Sequence, residues 1–513
     1  MKLTEQQLEI INTNENIKIN AVAGSGKTST MVEYAKTRPD NKKILYLAFN
    51  KSVKDEATKK FQNIENVRIE TAHSLAFKKI VRKYDYKIAN SLKPYEIAKI
   101  LDIKGTNNFE IICSTHVSKF VAYFCNSNAL QVKDINYMDT LADEKAIEFA
   151  KKHYEYIETQ TRKLLAKMNN GEIDITHDFY LKKYQLSNPV LEYDYILFDE
   201  GQDASPCMLD VFFKQKSTKV IVGDTHQQIY GWRHAVNSLE KADYPNFYLS
   251  NSFRFNQSIA DLANEILKMK KGKIDFKICG HGNNQSTKTR AVIARTNIGL
   301  LKGAIDSIKN VKDIYFEGNL SSYTYAQDGG SLFDILALYN EKRDKIKDSL
   351  IRGMKDLYDL EIYVKQTEDA QLSMMIEMVK EYGNGLYSIL NSLKAKHTER
   401  EKAQIIFSTV HRSKGMEYDD VKLMEDFVTP DMINKENINE EEINMLYVAA
   451  TRTKNTLTLW EDNLPEKFPK HKNIKTYTKF VEKKSSEIKG DVAKKVKGVV
   501  YLKPDVSGKD LFN

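Results

Sequence analysis

Ile17-Lys18-Ile19-Asn20-Ala21-Val22-Ala23-Gly24-Ser25-Gly26-Lys27-Thr28-Ser29 decides how the rest of this 513-residue chain is read. The β-branched run Ile17–Ala21 predicts a strand, and Ser29–Ala35 reads as a helix. Between them, Ala21–Thr28 follows the phosphate-binding pattern GxxxxGK[ST] with Ala in the first position. Its glycines let the backbone curl so that Val22, Ala23, Gly24, Ser25 and Gly26 can turn N–H groups toward phosphate oxygens. Lys27 is then expected to reach the β- and γ-phosphates and Thr28 to ligate Mg²⁺, while Ser29 opens a helix whose N-terminus favours an anion.

Such a site needs a second half, a carboxylate pair at the end of a buried strand. Tyr195-Ile196-Leu197-Phe198 runs directly into Asp199-Glu200-Gly201-Gln202-Asp203. Asp199 is placed to hold Mg²⁺ and Glu200 to act as general base toward an attacking water. A lone Asp-Glu pair means little, but one at the carboxyl edge of an apolar strand stands where α/β ligands bind. ATP and Mg²⁺ are therefore the expected substrate and metal.

Further short apolar runs alternate with helical stretches, which argues for α/β architecture with parallel sheets. Candidate strands are Ile44–Phe49 and Lys219–Val222, then Ala291–Ala294, Asp313–Phe316, Gln404–Ser408, Val421–Met424 and Thr456–Trp460. Residues 84–185 and 325–400 lack such runs and read as charged and helical. The expected fold is two RecA-like P-loop domains, each carrying a mainly helical insertion. The first domain takes residues 1–83 and 186–270, with an insertion at 84–185. The second takes 271–324 and 401–465, with an insertion at 325–400, and 466–513 form a basic C-terminal tail.

Hydrophobic residues at 41 % and charged residues at 29 % exclude a disordered or collagen-like chain. No apolar run approaches membrane-spanning length, and the start MKLTEQQLEI lacks a secretory layout, so no membrane partner is expected. Cys113, Cys125, Cys207 and Cys279 form no CxxC pair, which fits a reducing cytoplasm better than a zinc ribbon or disulfide framework. The formal net charge of +8 invites a nucleic-acid reading. Residues 466–513, however, hold 13 Lys against 6 acids, so +7 of it sits in the tail and the body is nearly neutral.

The remaining motifs resemble, in order, those of the UvrD/Rep branch of superfamily 1 helicases. Leu3-Thr4-Glu5-Gln6-Gln7 is similar to the Q motif and Leu47-Ala48-Phe49-Asn50-Lys51 to motif Ia, with Thr71-Ala72-His73-Ser74 after it. Gly223–Arg233 resembles motif III, Ser252-Phe253-Arg254-Phe255 motif IV, Thr409–Tyr418 motif V and Leu446–Arg452 motif VI. The wording GDTHQQIYGWRHAVNSL is most similar to the helicase portion of F-box DNA helicases; a Q motif starting at Leu3 leads us to expect no F-box. Gly201 departs from the usual Ala or Tyr of motif II, and His234 stands where many relatives have Gly.

The resemblance implies roles. Gln7 reads the adenine edge, Phe253 stacks on adenine and Glu417 touches ribose. Arg254 and Arg452 stabilise charge on the transferring phosphoryl group. Gln202 and Gln227 link the γ-phosphate to the DNA track. Phe49, Tyr230 and Trp232 are expected to stack on bases, with Asn50, His73, Ser74, Arg233 and His411 as further DNA contacts. The implied function is an ATP-dependent helicase moving 3′ to 5′ on single-stranded DNA and at duplex junctions, in repair, recombination or defence, inside a bacterial or phage-like cell near the nucleoid. RNA is not excluded as a track. The competing readings are a translocase or regulatory ATPase subunit that does not unwind alone. The tail is expected to be a solvated, partly mobile extension, or else to grip phosphate or dock a protein partner.

Overall fold

Ile17–Ala21 is the strand β1, and its neighbours in a six-stranded, all-parallel sheet explain its apolar character. The sheet runs β3-β2-β4-β5-β1-β6, from β2 (Ile44–Ala48), β3 (Val67–Thr71), β4 (Tyr195–Phe198), β5 (Thr218–Gly223) and β6 (Asn246–Leu249). Strands covered on both faces carry apolar side chains on both. Ile44 and Tyr46 point into a core with the helices Glu5–Ile11 and Lys27–Lys36, whereas Leu45 and Leu47 join a core built with the first insertion. The insertion is thus seated on the sheet itself, and its helix Phe109–Asn126 contributes Val117, Phe120 and Phe124 to that shared core.

The computed structural model describes residues 3–478 apart from 107, 273, 275, 309–310, 319–322, 324–331, 436–437 and 466–467. The phosphate-gripping and partner-docking roles expected of the tail fall mostly on residues outside the described ones. The chain divides into two compact units, Met1–Asn251 with Ser321–Leu386, and Ser252–Leu320 with Tyr387–Asn513.

The second unit is organised on another six-stranded parallel sheet, β10-β11-β9-β12-β13-β14. Its strands are β9 (Arg290–Ala294), β10 (Ile314–Phe316), β11 (Ile405–Thr409), β12 (Tyr418–Leu423), β13 (Thr453–Trp460) and β14 (Ile474–Tyr477). The two-residue strands β7 (Asn251–Ser252) and β8 (Cys279–Gly280) lie outside both sheets. The α/β fold with two parallel sheets stands as expected.

Besides the two-residue β7 and β8, three strands of the large sheets escaped the sequence reading: β3, β6 and β14. All three are sheet edges. An edge strand pairs on one side only and keeps a solvated face, so it shows no continuous apolar run. β14 also lies inside the stretch 466–513 expected as tail, where it extends the second sheet beside β13.

Part of the second insertion belongs with the first unit. His116 on the first insertion meets the Gln366 carbonyl at 2.9 Å through Nε2, and Thr115 lies 3.2 Å from the Tyr363 hydroxyl. The Glu368 carboxylate accepts from the backbone N–H groups of Ala142 and Asp143 at 2.6 and 2.7 Å. The helix Leu386–Lys396, by contrast, falls almost entirely in the second unit.

Candidate nucleotide and nucleic-acid site

β1 ends at Ala21, and the chain turns through Gly24 (φ 75°) and Gly26 (φ 81°) before the helix Lys27–Lys36 starts. Both glycines occupy the left-handed region that side chains avoid, so the curl is written in the sequence. Ser25 Oγ is buried with no hydrogen-bond partner in the described structure. An orphaned buried hydroxyl just before a helix N-terminus fits an anionic ligand supplying the missing acceptor, whereas the Val22 and Ser25 N–H groups expected to face phosphate are taken by the Leu249 and Val22 carbonyls. Gln7 borders the same loop, for a Cβ on Gly26 would lie 3.4 Å from its Nε2. Its amide caps its own helix through Thr4 and donates to Thr30 Oγ1 at 3.1 Å, so Gln7 is held rigidly beside the site.

Lys27 Nζ pairs with Glu200 Oε1 at 3.1 Å. Burial would lower the ammonium, but Glu200, Asp199 and Asp224 outweigh it and hold Lys27 above its ordinary value. Asp199 closes β4 and is buried; Tyr46 donates to its Oδ2. Burial first, then the neighbouring Glu200, raise the Asp199 carboxyl above the usual carboxylate range. Among the described residues no cluster of three or more His, Cys, Asp or Glu could hold a metal. One carboxylate with the Thr28 hydroxyl is instead the sparse oxygen set that suits Mg²⁺, which keeps waters and phosphate oxygens as its other ligands.

Glu200 sits at φ 52°, a strained position for a residue with a side chain. The strain costs about 1–3 kcal/mol. Ile196, Leu197 and Phe198, fully buried immediately before it, contribute about 1.5–3 kcal/mol each, enough to pin the turn. The result aims Glu200 at both Lys27 and Gln202, whose Nε2 donates to Glu200 Oε2 at 2.5 Å. Gln202 Oε1 accepts from the Asp224 N–H at 3.1 Å, and Asp224 Oδ2 accepts from Gln227 Nε2 at 2.8 Å. An unbroken polar chain therefore runs Lys27–Glu200–Gln202–Asp224–Gln227.

Just beyond that chain lies a groove of about 810 Å³ in the first unit. Phe49, Asn50, His73, Tyr230, Trp232 and Arg233 all line it. Phe49 and Tyr230 stack with centroids 6.2 Å apart, Trp232 follows at 6.5 Å, and the Arg233 guanidinium lies 4.5 Å over Trp232. Trp232 is 62 % exposed and so does not serve as a core packing residue. The opposite wall comes from the first insertion, including Asn90, Asn126, Thr176, His177 and Asp178. His234 also lines the groove, packed on Tyr123 at 5.3 Å, with φ 60° at the position where relatives carry Gly.

Ser74 is not brought to this groove: its hydroxyl donates to Glu70 at 2.6 Å and accepts from the Thr71 N–H, as a cap of helix Ala72–Ala76. His411 belongs to the second unit, in the short helix Val410–Ser413. There, Arg254 and Arg452 converge on Thr451. Arg254 Nη1 donates to the Thr451 carbonyl at 3.1 Å and Nε to Glu417 at 3.1 Å. Arg452 is 1 % exposed, its Nη2 on Thr451 Oγ1 at 3.2 Å and its Nε on the Val448 carbonyl at 2.9 Å. Phe253 stands 49 % exposed beside His281.

Sequence reasoning missed Tyr46, Asp224 and the insertion wall. A tyrosine in the otherwise aliphatic strand Ile44-Leu45-Tyr46-Leu47-Ala48 was the available signal for the first. Nothing local marks the insertion residues, because the groove forms only when distant helices meet the sheet.

No described helix is long and apolar enough to cross a membrane. Residues 3–247 match the UvrD/REP helicase N-terminal domain, and residues 404–460 the UvrD-like helicase C-terminal domain. The F-box DNA helicase protein 1 of Schizosaccharomyces pombe is 32 % identical over 89 % of this chain and 57 % of its own length. F-box DNA helicase 1 of Gallus gallus is 29 % identical over 90 % of this chain and 49 % of its own. The chain thus spans about half the length of these relatives. A probable DNA helicase II homolog of Mycoplasma genitalium is 25 % identical over 52 % of this chain and 42 % of its own. The expectation of a bacterial or phage-like source gains no support, since the two relatives matched over most of the chain are eukaryotic. Phosphate loop, carboxylate strand and ordered motifs agree with these matches: the chain belongs to the UvrD/REP helicase family.

Proposed function

We propose that this protein is an ATP-dependent DNA helicase that translocates 3′ to 5′ along single-stranded DNA. The observation that carries the reading is the polar chain Lys27–Glu200–Gln202–Asp224–Gln227, which leads from the phosphate loop toward the aromatic groove. Lys27 is paired with Glu200 at 3.1 Å. When the γ-phosphate takes the Lys27 ammonium, the Glu200 carboxylate is released to orient water and accept its proton. Thr28 and Asp199 would hold Mg²⁺, which would supply charge neutralisation on the phosphates. Gln202, bonded to the other Glu200 oxygen, follows any reorientation of that carboxylate and passes it through Asp224 to Gln227 and the loop carrying Tyr230 and Trp232. Bases stacked along Phe49, Tyr230 and Trp232 are gripped without regard to sequence. Arg254, Arg452, Phe253 and Glu417 keep the roles that family resemblance gives them, toward γ-phosphate, adenine and ribose.

Lys27→Ala is the direct test. It should abolish ATP hydrolysis stimulated by single-stranded DNA while leaving weak strand binding intact; retained hydrolysis refutes the phosphate-loop assignment. Strand displacement on 3′- and 5′-tailed duplexes then decides polarity, and displacement on neither tail points to a translocase or regulatory ATPase. ATPase stimulation by RNA equal to that by DNA would widen the track to both.

A further inference from the structure

A second concavity, of about 920 Å³, lies in the first unit on the other side of the helical run 72–84. Thr71 and His73, at the start of that run, line the aromatic groove, whereas Leu75, Lys78, Lys79 and Lys83 line the second concavity. Lys43 and Arg68 complete its basic rim, opposed by Glu65 and Glu192. Arg68 and Lys78 are both tied to Glu70, which is buried at 3 % exposure. Lys43, Lys79 and Lys83 form no ion pair among the described residues, and all three are exposed. The floor is apolar and half-buried or buried: Leu75, Tyr184, Leu191 and Tyr193, with Tyr84 half exposed at its edge.

In a body that is otherwise close to neutral, a concavity lined by five basic residues, Lys43, Arg68, Lys78, Lys79 and Lys83, against the two acids Glu65 and Glu192 carries a local excess of positive charge. Phosphodiester groups match it. A duplex presents its phosphates on a convex surface with the bases hidden inside. A cationic rim over an apolar floor suits a flexible single strand, which can turn bases inward and phosphates outward. The polar chain that reaches the aromatic groove has no member here, so this site can hold a strand without being driven by hydrolysis.

We infer that this second groove binds the displaced single strand of DNA, so that the helical run 72–84 stands between the two separated strands. The inference rests on the helicase reading. Its test compares the full-length protein on two substrates with the same 3′ tail and duplex, one of which carries an unpaired 5′ arm of oligo-dT. The 5′ arm should tighten binding several-fold for the wild type. Lys43→Gln/Lys79→Gln/Lys83→Gln should erase that gain, leaving single-strand-stimulated ATPase and the affinity for the armless substrate unchanged. On the forked substrate, the slope of log affinity against log salt should fall by about 2, at roughly 0.7 for each single-strand phosphate that a lysine no longer neutralises.

An arm that adds no affinity in the wild type overturns the inference, and so does a variant with an unchanged salt slope. Loss of wild-type affinity for fluorescein-labelled poly-L-glutamate in the variant, without any arm effect, would instead make the groove a site for acidic proteins. Failure of the helicase reading is distinguishable: the wild type would then show no DNA-stimulated ATPase on either substrate.

Discussion

Gly201→Ala adds a single methyl group beside the carboxylate strand, and the structure says it should be harmful. An ideal Cβ on Gly201 would lie 2.5 Å from Ser238 Oγ and 2.6 Å from Ile221 Cγ2. Neither neighbour can retreat easily. Ser238 and Ile221 are both fully buried, and Ile221 sits in β5, paired with β1 on one side and β4 on the other. Ser238 Oγ also donates to the Gly201 carbonyl at 2.6 Å. Overpacking costs about 1–3 kcal/mol, and losing that buried hydrogen bond adds about 1 kcal/mol. Reduced freedom of the unfolded chain returns about 0.4–1 kcal/mol. The net is a destabilisation of about 2 kcal/mol, or a melting temperature lower by about 3 °C for a unit of this size. Thermal unfolding of the nucleotide-free protein by circular dichroism measures it. Adding Ser238→Ala removes the 2.5 Å contact and should recover about half the loss. A Gly201→Ala protein melting within about 1 °C of wild type refutes the packing argument.

Three other perturbations probe separate parts of the machinery. Trp232→Ala removes an exposed platform and should weaken oligo-dT binding about tenfold, consistent with about 1–3 kcal/mol per stacked base, while ATPase without DNA is unchanged; fluorescence anisotropy and a coupled assay read the two. Tyr46→Phe deprives Asp199 of its hydroxyl donor and should raise the Mg²⁺ concentration for half-maximal ATPase about tenfold, with the defect growing as pH falls, because burial and Glu200 already favour protonated Asp199. His116 is fully buried between Tyr137 and the Gln366 carbonyl, and burial lowers it to about 4 despite the raising effects of that carbonyl and Glu368. The unfolded chain binds this proton more readily, so the fold should lose up to about 3 kcal/mol as pH drops from about 6.5 to about 4; a melting temperature with the same pH dependence in His116→Phe would show the residue plays no part.

What the sequence revealed and what it hid divide along physical lines. Interior strands were legible because burial on both faces demands unbroken apolar runs, as in Ile44–Ala48, where every residue is buried. β3, with only Glu70 of its five residues buried, carries no such demand. The phosphate loop and carboxylate strand were legible because their chemistry needs particular residues at particular spacing. The wall that the first insertion lends to the aromatic groove was not, since Asn90, Asn126, Thr176 and Asp178 acquire meaning only from the packing of their helices against Leu45 and Leu47. Nor was the association of Tyr363, Gln366 and Glu368 with the first insertion, in which single side chains such as His116 and Glu368 meet backbone groups that carry no mark in the sequence.

The glycines show how motif reasoning can name the right residue and miss its neighbour. Gln202 drew attention as a link between phosphate and DNA, yet its geometry is set by Gly201 before it and Gly223 across from it. A Cβ on Gly223 would lie 2.1 Å from Gln202 Oε1, in the space the amide needs to accept from the Asp224 N–H. Gly201 lets the following residue approach β5, and Gly223 at the end of β5 leaves room for its side chain. Neither glycine has a positive φ, so turn chemistry does not explain them. Their lack of a side chain is what allows an uncharged amide to bridge Glu200 and Asp224 in a buried setting, where an unpaired carboxylate on either side would be costly. In the proposed mechanism, coupling therefore depends on two positions that carry no chemistry of their own, and substitutions there should separate hydrolysis from movement more cleanly than substitutions of the groups assigned to the nucleotide.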